Sequence, residues 1–288
     1  MIPFFNFGGL LQSLAAQLLP AAASAAGLLL FQTPAFTEIP DVRGLWQVVL
    51  GVTDTMFVLA LLFAGGLIMT SDTFQSRYTA KLLIPRLLLA AVLANASLIL
   101  CSSLTHLDNA LVVGILGPDP ATNSWGTVTG QFASSNLSGG IVFALVAIAA
   151  AVMGLFLAIV YIARDFLLLL LTVLAPLALA TYGVPGLDEM ARLWWRGYLI
   201  GLFVQVGDAL LLKVGTMLLV HPGWLGTPAS ALISALMLVA LLYVMFRLPF
   251  VAYQWVFRHP VSQNPVVTRV RTTVNTAVTV AKTAAAVL

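Results

Sequence analysis

Charge is scarce in this chain of 288 residues: Asp, Glu, Lys and Arg together make up 8%, where a soluble domain carries about a quarter. That deficit excludes an ordinary water-soluble globule, a disordered chain and a nucleic-acid-binding domain that reads sequence from a basic face. Cysteine is scarcer still. The single Cys101 rules out an internal disulfide framework and any multi-cysteine metal site, and in its apolar stretch it reads as a small core residue. Lys and Arg are missing before Arg43 and again between Arg86 and Arg164. The first gap leaves Phe4 to Phe31 without the positive n-region of a secretory signal, although Ala21 to Ala26 has the look of a cleavage site, so the segment is assigned to the mature protein.

What fills the chain instead is apolar: 61% of residues are hydrophobic, in long unbroken runs. A bilayer offers the backbone no hydrogen-bond partners, so such runs must cross as helices of about 20 residues, and the alternation of a membrane β-barrel is absent. The expected fold is therefore all-α, a polytopic transmembrane helical bundle. It has about five full spans, an N-terminal amphipathic helix, and a Pro-broken or re-entrant segment.

The placement of charge orients the spans. Leu45 to Thr70 and Leu87 to Leu104 are the first two, and Arg77, Lys81 and Arg86 gather between or beside them. By the positive-inside rule Ser71 to Lys81 is cytoplasmic, and the uncharged-to-acidic connection of residues 105–138 is an outer loop. Gly139 to Ala163 then runs inward to Arg164. Phe166 to Tyr182 is interrupted by Ala175-Pro176, so 139–182 reads as a long tilted or broken helix, or as a partial re-entrant segment, ending inside with Arg192 and Arg196. Tyr198 to Val220 and Ser230 to Phe246 complete the set around a short outer turn, HPGWLGTPA. The organisation is an interfacial segment over 1–44, a bundle over 45–257 and a basic cytoplasmic tail over 258–288. In the first segment Leu10, Leu11, Leu14, Leu18, Ala21, Ala25 and Leu28 recur at helical spacing, which predicts an amphipathic helix lying on the membrane, with a weak full span as the alternative.

Polar residues inside spans are the candidate functional positions, because an ionised side chain at a helix centre costs about 2.5 to 3.5 kcal/mol on insertion scales. Asp54 lies on a stripe with Gly51, Val58 and Gly65, whose small residues suit close helix packing. Gly201, Gln205, Asp208, Leu212 and Gly215 share one face, and Lys213 lies roughly 140° from Asp208. Ala147, Ala151, Gly154, Ala158, Tyr161 and Asp165 form a comparable stripe beside Arg164, as do Arg86, Ala90, Ala94, Ser97 and Cys101. Asn95 faces away from Arg86 and is expected to bond a neighbouring helix. Asp54, Arg86, Arg164, Asp165, Gln205, Asp208 and Lys213 are thus intramembrane polar or assembly candidates. Arg192, Trp194, Trp195 and Arg196 are candidates for docking at the cytoplasmic surface, where aromatic rings and basic heads are both satisfied.

Enzyme motifs are not found. Val206-Gly207-Asp208 approaches the glycine-aspartate of intramembrane aspartyl proteases, but Gln205 replaces the first glycine. There is no HExxH and no GxxxxGK[ST], and His106, His221 and His259 are scattered without ligand spacing. Neither metal nor cofactor is expected. The two halves share no repeat of the kind found in inverted-repeat transporters.

The stretch Tyr161 to Gly215 carries an arginine ending a hydrophobic helix, then an apolar run closed by Ala-Pro, a Gly/Pro turn and Arg-x-Trp-Trp before the next span. With FAGGLIMTSDTFQSRYTAKLLIPRLLLAAVLANASLIL, it resembles the TrbL family, relatives of the VirB-six component of type IV secretion systems. Arg164, Pro176, Trp194 and Trp195 fit the pattern. The resemblance implies a multi-pass bacterial inner-membrane protein, N-terminus outside and C-terminus cytoplasmic. It also implies a non-enzymatic, homo-oligomeric subunit of a conjugative transfer apparatus, contributing to a membrane platform or a channel for DNA or protein. Its partners would be other inner-membrane subunits, separate cytoplasmic ATPases, membrane lipids and, transiently, transferred DNA. The alternative is a small-solute transporter or channel with Asp54, Asp208 and Lys213 lining its site.

Overall fold

The computed structural model describes residues 7–70, 74–120, 125, 126, 128, 130, 141–184, 187–220 and 231–258, and among these there is no strand. Six long helices are ordered along the chain as α1 (Phe7–Leu30), α2 (Pro40–Thr70), α3 (Phe74–Leu116), α4 (Ile141–Ala180), α5 (Asp188–Val220) and α6 (Ala231–Arg258). Five of them, α2 to α6, are long and apolar enough to cross a membrane. The tail beyond Arg258, residues 259–288, lies outside the described residues, as do residues 131–140 and 221–230.

The helices end where local chemistry dictates. Helix α3 closes at Gly117, whose φ of 89° lets its N–H turn back to the Val113 carbonyl at 2.8 Å, a left-handed position open to glycine at little cost. Helix α4 passes through Pro176 as one helix and tightens into a 3-10 turn at Thr181–Gly183, so of the expected alternatives the long helix stands and the break at Pro176 does not. Pro176 removes one backbone donor, but the neighbouring Val173, Ala175 and Leu179 are buried against other helices, and this packing holds the helix through the defect. The first turn of α5 carries Asp188 and Glu189, the sign favoured at a helix N-terminus.

Small residues set the packing. The stripes of α3, α4 and α5 fall where the sequence puts them: Ala90, Ala94, Ser97 and Cys101 are buried, as are Ala147, Ala151, Tyr161, Gln205, Asp208 and Leu212. A Cβ at Gly201 would lie 2.7 Å from Leu168 Cδ2, one at Gly215 2.6 Å from Leu241 Cδ2, and one at Gly183 2.9 Å from Leu87 Cδ2. Each glycine therefore marks a place where a neighbouring side chain occupies the space of a side chain.

One stripe departs from expectation. On α2 the residues that pack are Val42, Trp46, Thr53 and Phe57, with Trp46 Nε1 donating to Ser97 Oγ at 3.0 Å. Gly51 and Gly65 have nothing within 4 Å of a built Cβ, so they do not mediate a close approach. On α1 the alanines Ala15, Ala22 and Ala26 are buried, and Ala22 meets Gly154 of α4, whereas Leu10, Leu14 and Leu18 are exposed. The leucine stripe points outward because only the alanine face is thin enough for that approach.

Helix α3 also extends through Thr105–Leu116, a stretch the charge pattern assigns to an outer loop. This continuation carries Asp108 and Asn109 into the bundle. Three apolar clusters result among the described residues. One joins α1, the end of α3, the first half of α4, the end of α5 and α6; a second joins α3, the second half of α4 and the start of α5 around Leu168, Leu179, Trp194 and Tyr198; a smaller third joins α2 to α3 around Phe57, Leu87, Ala90 and Ala94. Between the first two lies a polar layer centred on Arg164.

Candidate functional site

Arg164 sits near the middle of α4, and its side chain is 2% exposed. It is not the cytoplasmic end of a span. Its position there requires every donor to be met, since a guanidinium has five N–H groups and no way to lose its charge. Nε donates to the Gly201 carbonyl at 2.6 Å, Nη2 to Thr33 Oγ1 at 2.9 Å and Nη1 to Asp165 Oδ1 at 3.1 Å. Nη2 also lies 3.6 Å from Asp108 Oδ2, itself 2% exposed at the side chain, and the guanidinium carbon stands 5.5 Å from the Tyr161 ring centre.

The remaining members surround this arginine from other elements. Thr33, in the α1–α2 connection, donates its hydroxyl proton toward Asp108 Oδ2 at 3.3 Å and also lies against Gln205 Oε1 of α5. A hydroxyl has one proton to give. Turning the Gln205 amide over, so that Nε2 donates to Thr33 Oγ1, lets both contacts stand and gives an acceptor to the nitrogen otherwise left without one. Asn109 holds the same connection in place: its Oδ1 accepts from the Thr33 N–H and its Nδ2 donates to the Thr33 carbonyl, both at 2.9 Å. On the other side Tyr161 donates to Asp208 Oδ2 at 2.5 Å.

Arg164, Asp165, Gln205 and Asp208 are thus brought together, joined by Thr33, Asp108, Asn109 and Tyr161. The cluster ties the α1–α2 connection, α3, α4 and α5 into one unit. Thr33 escapes the sequence reading because it lies in a short connection, and Asp108 and Asn109 because polar residues around Thr105 to Asn109 imitate a loop. The signal that finds Asp108 and Asn109 is the recurrence of Leu104, Leu107, Leu111, Val112 and Ile115 at helical spacing.

Other candidates lie elsewhere. Arg86 Nη2 pairs with Asp188 Oδ1 at 2.5 Å and its Nε donates to the Tyr182 carbonyl at 2.5 Å, which fastens the α4–α5 turn to α3. From Arg86 to Asp108 along α3, and from Tyr182 back to Arg164 along α4, the separation is about 33 and 27 Å at 1.5 Å per residue. The two polar levels are therefore about one hydrocarbon thickness apart. Asp54 lies on the outer face of α2, where Asn95 Nδ2 of α3 donates to its Oδ1 at 3.3 Å, the neighbouring-helix bond expected of Asn95. Lys213 is half-buried and has no acidic partner among the described residues.

Asp54, Asp208 and Lys213 thus have separate surroundings. Asp208 faces the interior on Tyr161, Asp54 is held by Asn95, and no hydrogen bond or ion pair among the described residues joins any two of the three. Nor is Trp194 a surface residue. It is 5% exposed, its Nε1 donates to the Leu171 carbonyl at 2.9 Å, and its ring stacks on Tyr198 at 5.2 Å. The close α4–α5 packing draws it inward, leaving Trp195 half-buried and Arg192 and Arg196 exposed. Among the described residues no three His, Cys, Asp or Glu side chains are grouped to hold a metal.

These features define a multi-pass helical membrane protein whose interior charges brace one helix against another. The family model described as TrbL/VirB6 plasmid conjugal transfer like protein matches residues 6–287, and the chain belongs to that family, a membrane component of conjugal transfer. No curated protein and no solved structure matches it.

Proposed function

We propose that the chain is a non-enzymatic inner-membrane subunit of a conjugative or type IV secretion apparatus, forming part of its membrane platform or of a translocation channel for DNA or protein. The observation that carries this reading is family membership over nearly the whole chain. The interior supports it, because Arg164 and its partners are engaged with one another across four chain segments rather than arranged around a substrate. In this reading copies of the chain associate with one another and with other inner-membrane subunits. Separate cytoplasmic ATPases drive transfer, and DNA touches the chain only in passage. The N-terminus lies outside and the C-terminus in the cytoplasm, with Arg192, Trp195 and Arg196 facing cytoplasmic partners.

Affinity isolation of the tagged chain from detergent-solubilised donor membranes tests this. The chain should emerge in a high-mass assembly containing a transfer ATPase, and blue-native electrophoresis should resolve more than one copy. A monomer free of every transfer component, taken from cells that conjugate normally, would contradict the reading.

A further inference from the structure

The polar layer at Arg164 sets three carboxyl groups against one fixed cation. The guanidinium serves two of them: Nη1 bonds Asp165 Oδ1 at 3.1 Å, and Nη2 lies 3.6 Å from Asp108 Oδ2. The Asp165 side chain is 13% exposed and that of Asp108 2%, so one carboxylate reaches the edge of the layer and the other is enclosed. Asp208 is left over. It is 0% exposed and forms no ion pair among the described residues.

No neighbouring element hands it a cation. From α4 the Tyr161 hydroxyl donates to Asp208 Oδ2 at 2.5 Å, while Arg164 turns Nε to the Gly201 carbonyl and Nη2 to Thr33. Asp108 of α3 brings a further negative charge to the same layer. Helix α6 sets Leu248 against Gly207 and Tyr253 beside Gly201, and its Arg247 is exposed and donates to Tyr243. On α5 itself Lys213 stands five residues on, about 140° around the helix. Asp208 Oδ1 has no hydrogen-bond partner.

An ionised carboxylate is costly in such a place. A buried charge without a partner is far more expensive than a neutral hydrogen-bonded group, and a carboxylate relieves that cost by taking up a proton. The unmet atoms lead to the same assignment. Once the Gln205 amide donates to Thr33, its Oε1 is an acceptor without a donor, as Asp208 Oδ1 is. Two acceptors cannot satisfy each other, whereas a proton on Asp208 turns one of them into a donor. Gln205 and Asp208 are both buried and three residues apart on one face of α5, the spacing at which Gln and Asp side chains bond.

We propose that Asp208 is a proton-binding site. At neutral pH it carries a proton taken from water, so that α4 and α5 meet across a neutral carboxyl rather than a charge. Tyr161 donates to the carbonyl oxygen of this acid, and Gln205 accepts its hydroxyl proton. Asp108, by contrast, stays ionised as the enclosed counter-ion of Arg164. Release of the proton would put a charge between two apolar clusters with only a phenol to hold it, which couples the fit of α4 on α5 to proton supply.

The test is infrared spectroscopy of the purified full chain in lipid at neutral pH, paired with its thermal midpoint. The parent should give the carbonyl stretch of a protonated carboxyl, and Asp208→Asn should remove that component. Tyr161→Phe, which takes away the donor to the acid's carbonyl oxygen, should keep the band and raise its frequency. Asp208→Asn keeps a donor and an acceptor in place of the neutral acid and should hold the midpoint within about 2 °C, whereas Asp108→Asn removes an enclosed counter-ion and should lower it by about 6 °C or more. A carboxyl band unchanged by Asp208→Asn overturns the proposal, as does a midpoint that falls as far for Asp208→Asn as for Asp108→Asn. So does a parent midpoint raised by sodium chloride but not by choline chloride at equal concentration, which would give the site to a metal cation. These readings are taken on the isolated chain, so their outcome stands apart from that of the transfer function.

Discussion

Replacing Arg164 by methionine removes the centre of the polar layer while keeping a side chain of similar length. The Gly201 carbonyl, Thr33 Oγ1 and the carboxylates of Asp108 and Asp165 all lose a partner at once. Asp165 is partly exposed and can take up water, but Asp108 is left as an uncompensated buried charge. Breaking a buried pair from one side costs about 3 to 5 kcal/mol. At roughly 2 to 4 °C per kcal/mol for a chain of this size, the thermal midpoint should fall by about 10 °C. Cys101 provides the readout, because the only thiol in the chain is fully buried and reacts with a fluorogenic maleimide only on unfolding. Adding Asp108→Leu should return at least half of the loss, since replacing both partners of a buried pair by apolar groups is close to neutral. Arg164→Lys should not rescue, because an ammonium cannot reach the Gly201 carbonyl, Thr33 and Asp165 together. A midpoint within about 2 °C of the parent for Arg164→Met would refute the reasoning, as would a double variant less stable than the single one.

Gly215→Ala and Gly201→Ala each place a methyl against a packed leucine and should cost about 1 to 3 kcal/mol in the same thiol assay. Gly44→Ala, with open space around the built Cβ, should be neutral or stabilising by up to about 1 kcal/mol through helix propensity. Trp194→Ala should destabilise by about 3 to 5 kcal/mol, a core residue's loss, and Trp195→Ala by clearly less. For orientation, cysteines at positions 124 and 79 in a Cys101-free background should be labelled from outside and only after permeabilisation, respectively; the opposite pattern at both would invert the topology.

Much of the architecture could be read from composition and spacing, because a bilayer leaves few options for apolar runs this long. The buried stripes of α3, α4 and α5 are legible for the same reason: alanine and glycine at helical spacing identify the faces where helices meet. Gln205, Asp208 and Asp165 are likewise legible as residues that avoid lipid. Arg164 is legible as important but not as placed, since a lone arginine after an apolar run looks like the edge of a membrane. Only its partners, contributed from Thr33 and Asp108 at distant points of the chain, make a mid-helix position tenable. Those partners depend on α3 continuing past Leu104 through residues whose side chains suit a loop equally well. On α1 the leucines face outward and the alanines inward, so side-chain size, more than hydrophobicity, separates the face that meets protein.

The central claim is that this chain is a working membrane component of conjugal transfer. Its direct test is plasmid transfer frequency from a donor in which the chain's reading frame is deleted without disturbing its neighbours, complemented in trans by the parent chain or by Arg164→Met. The account predicts loss of transfer on deletion, recovery with the parent and poor recovery with the variant at matched membrane levels. Undiminished transfer from the deletion donor would contradict it.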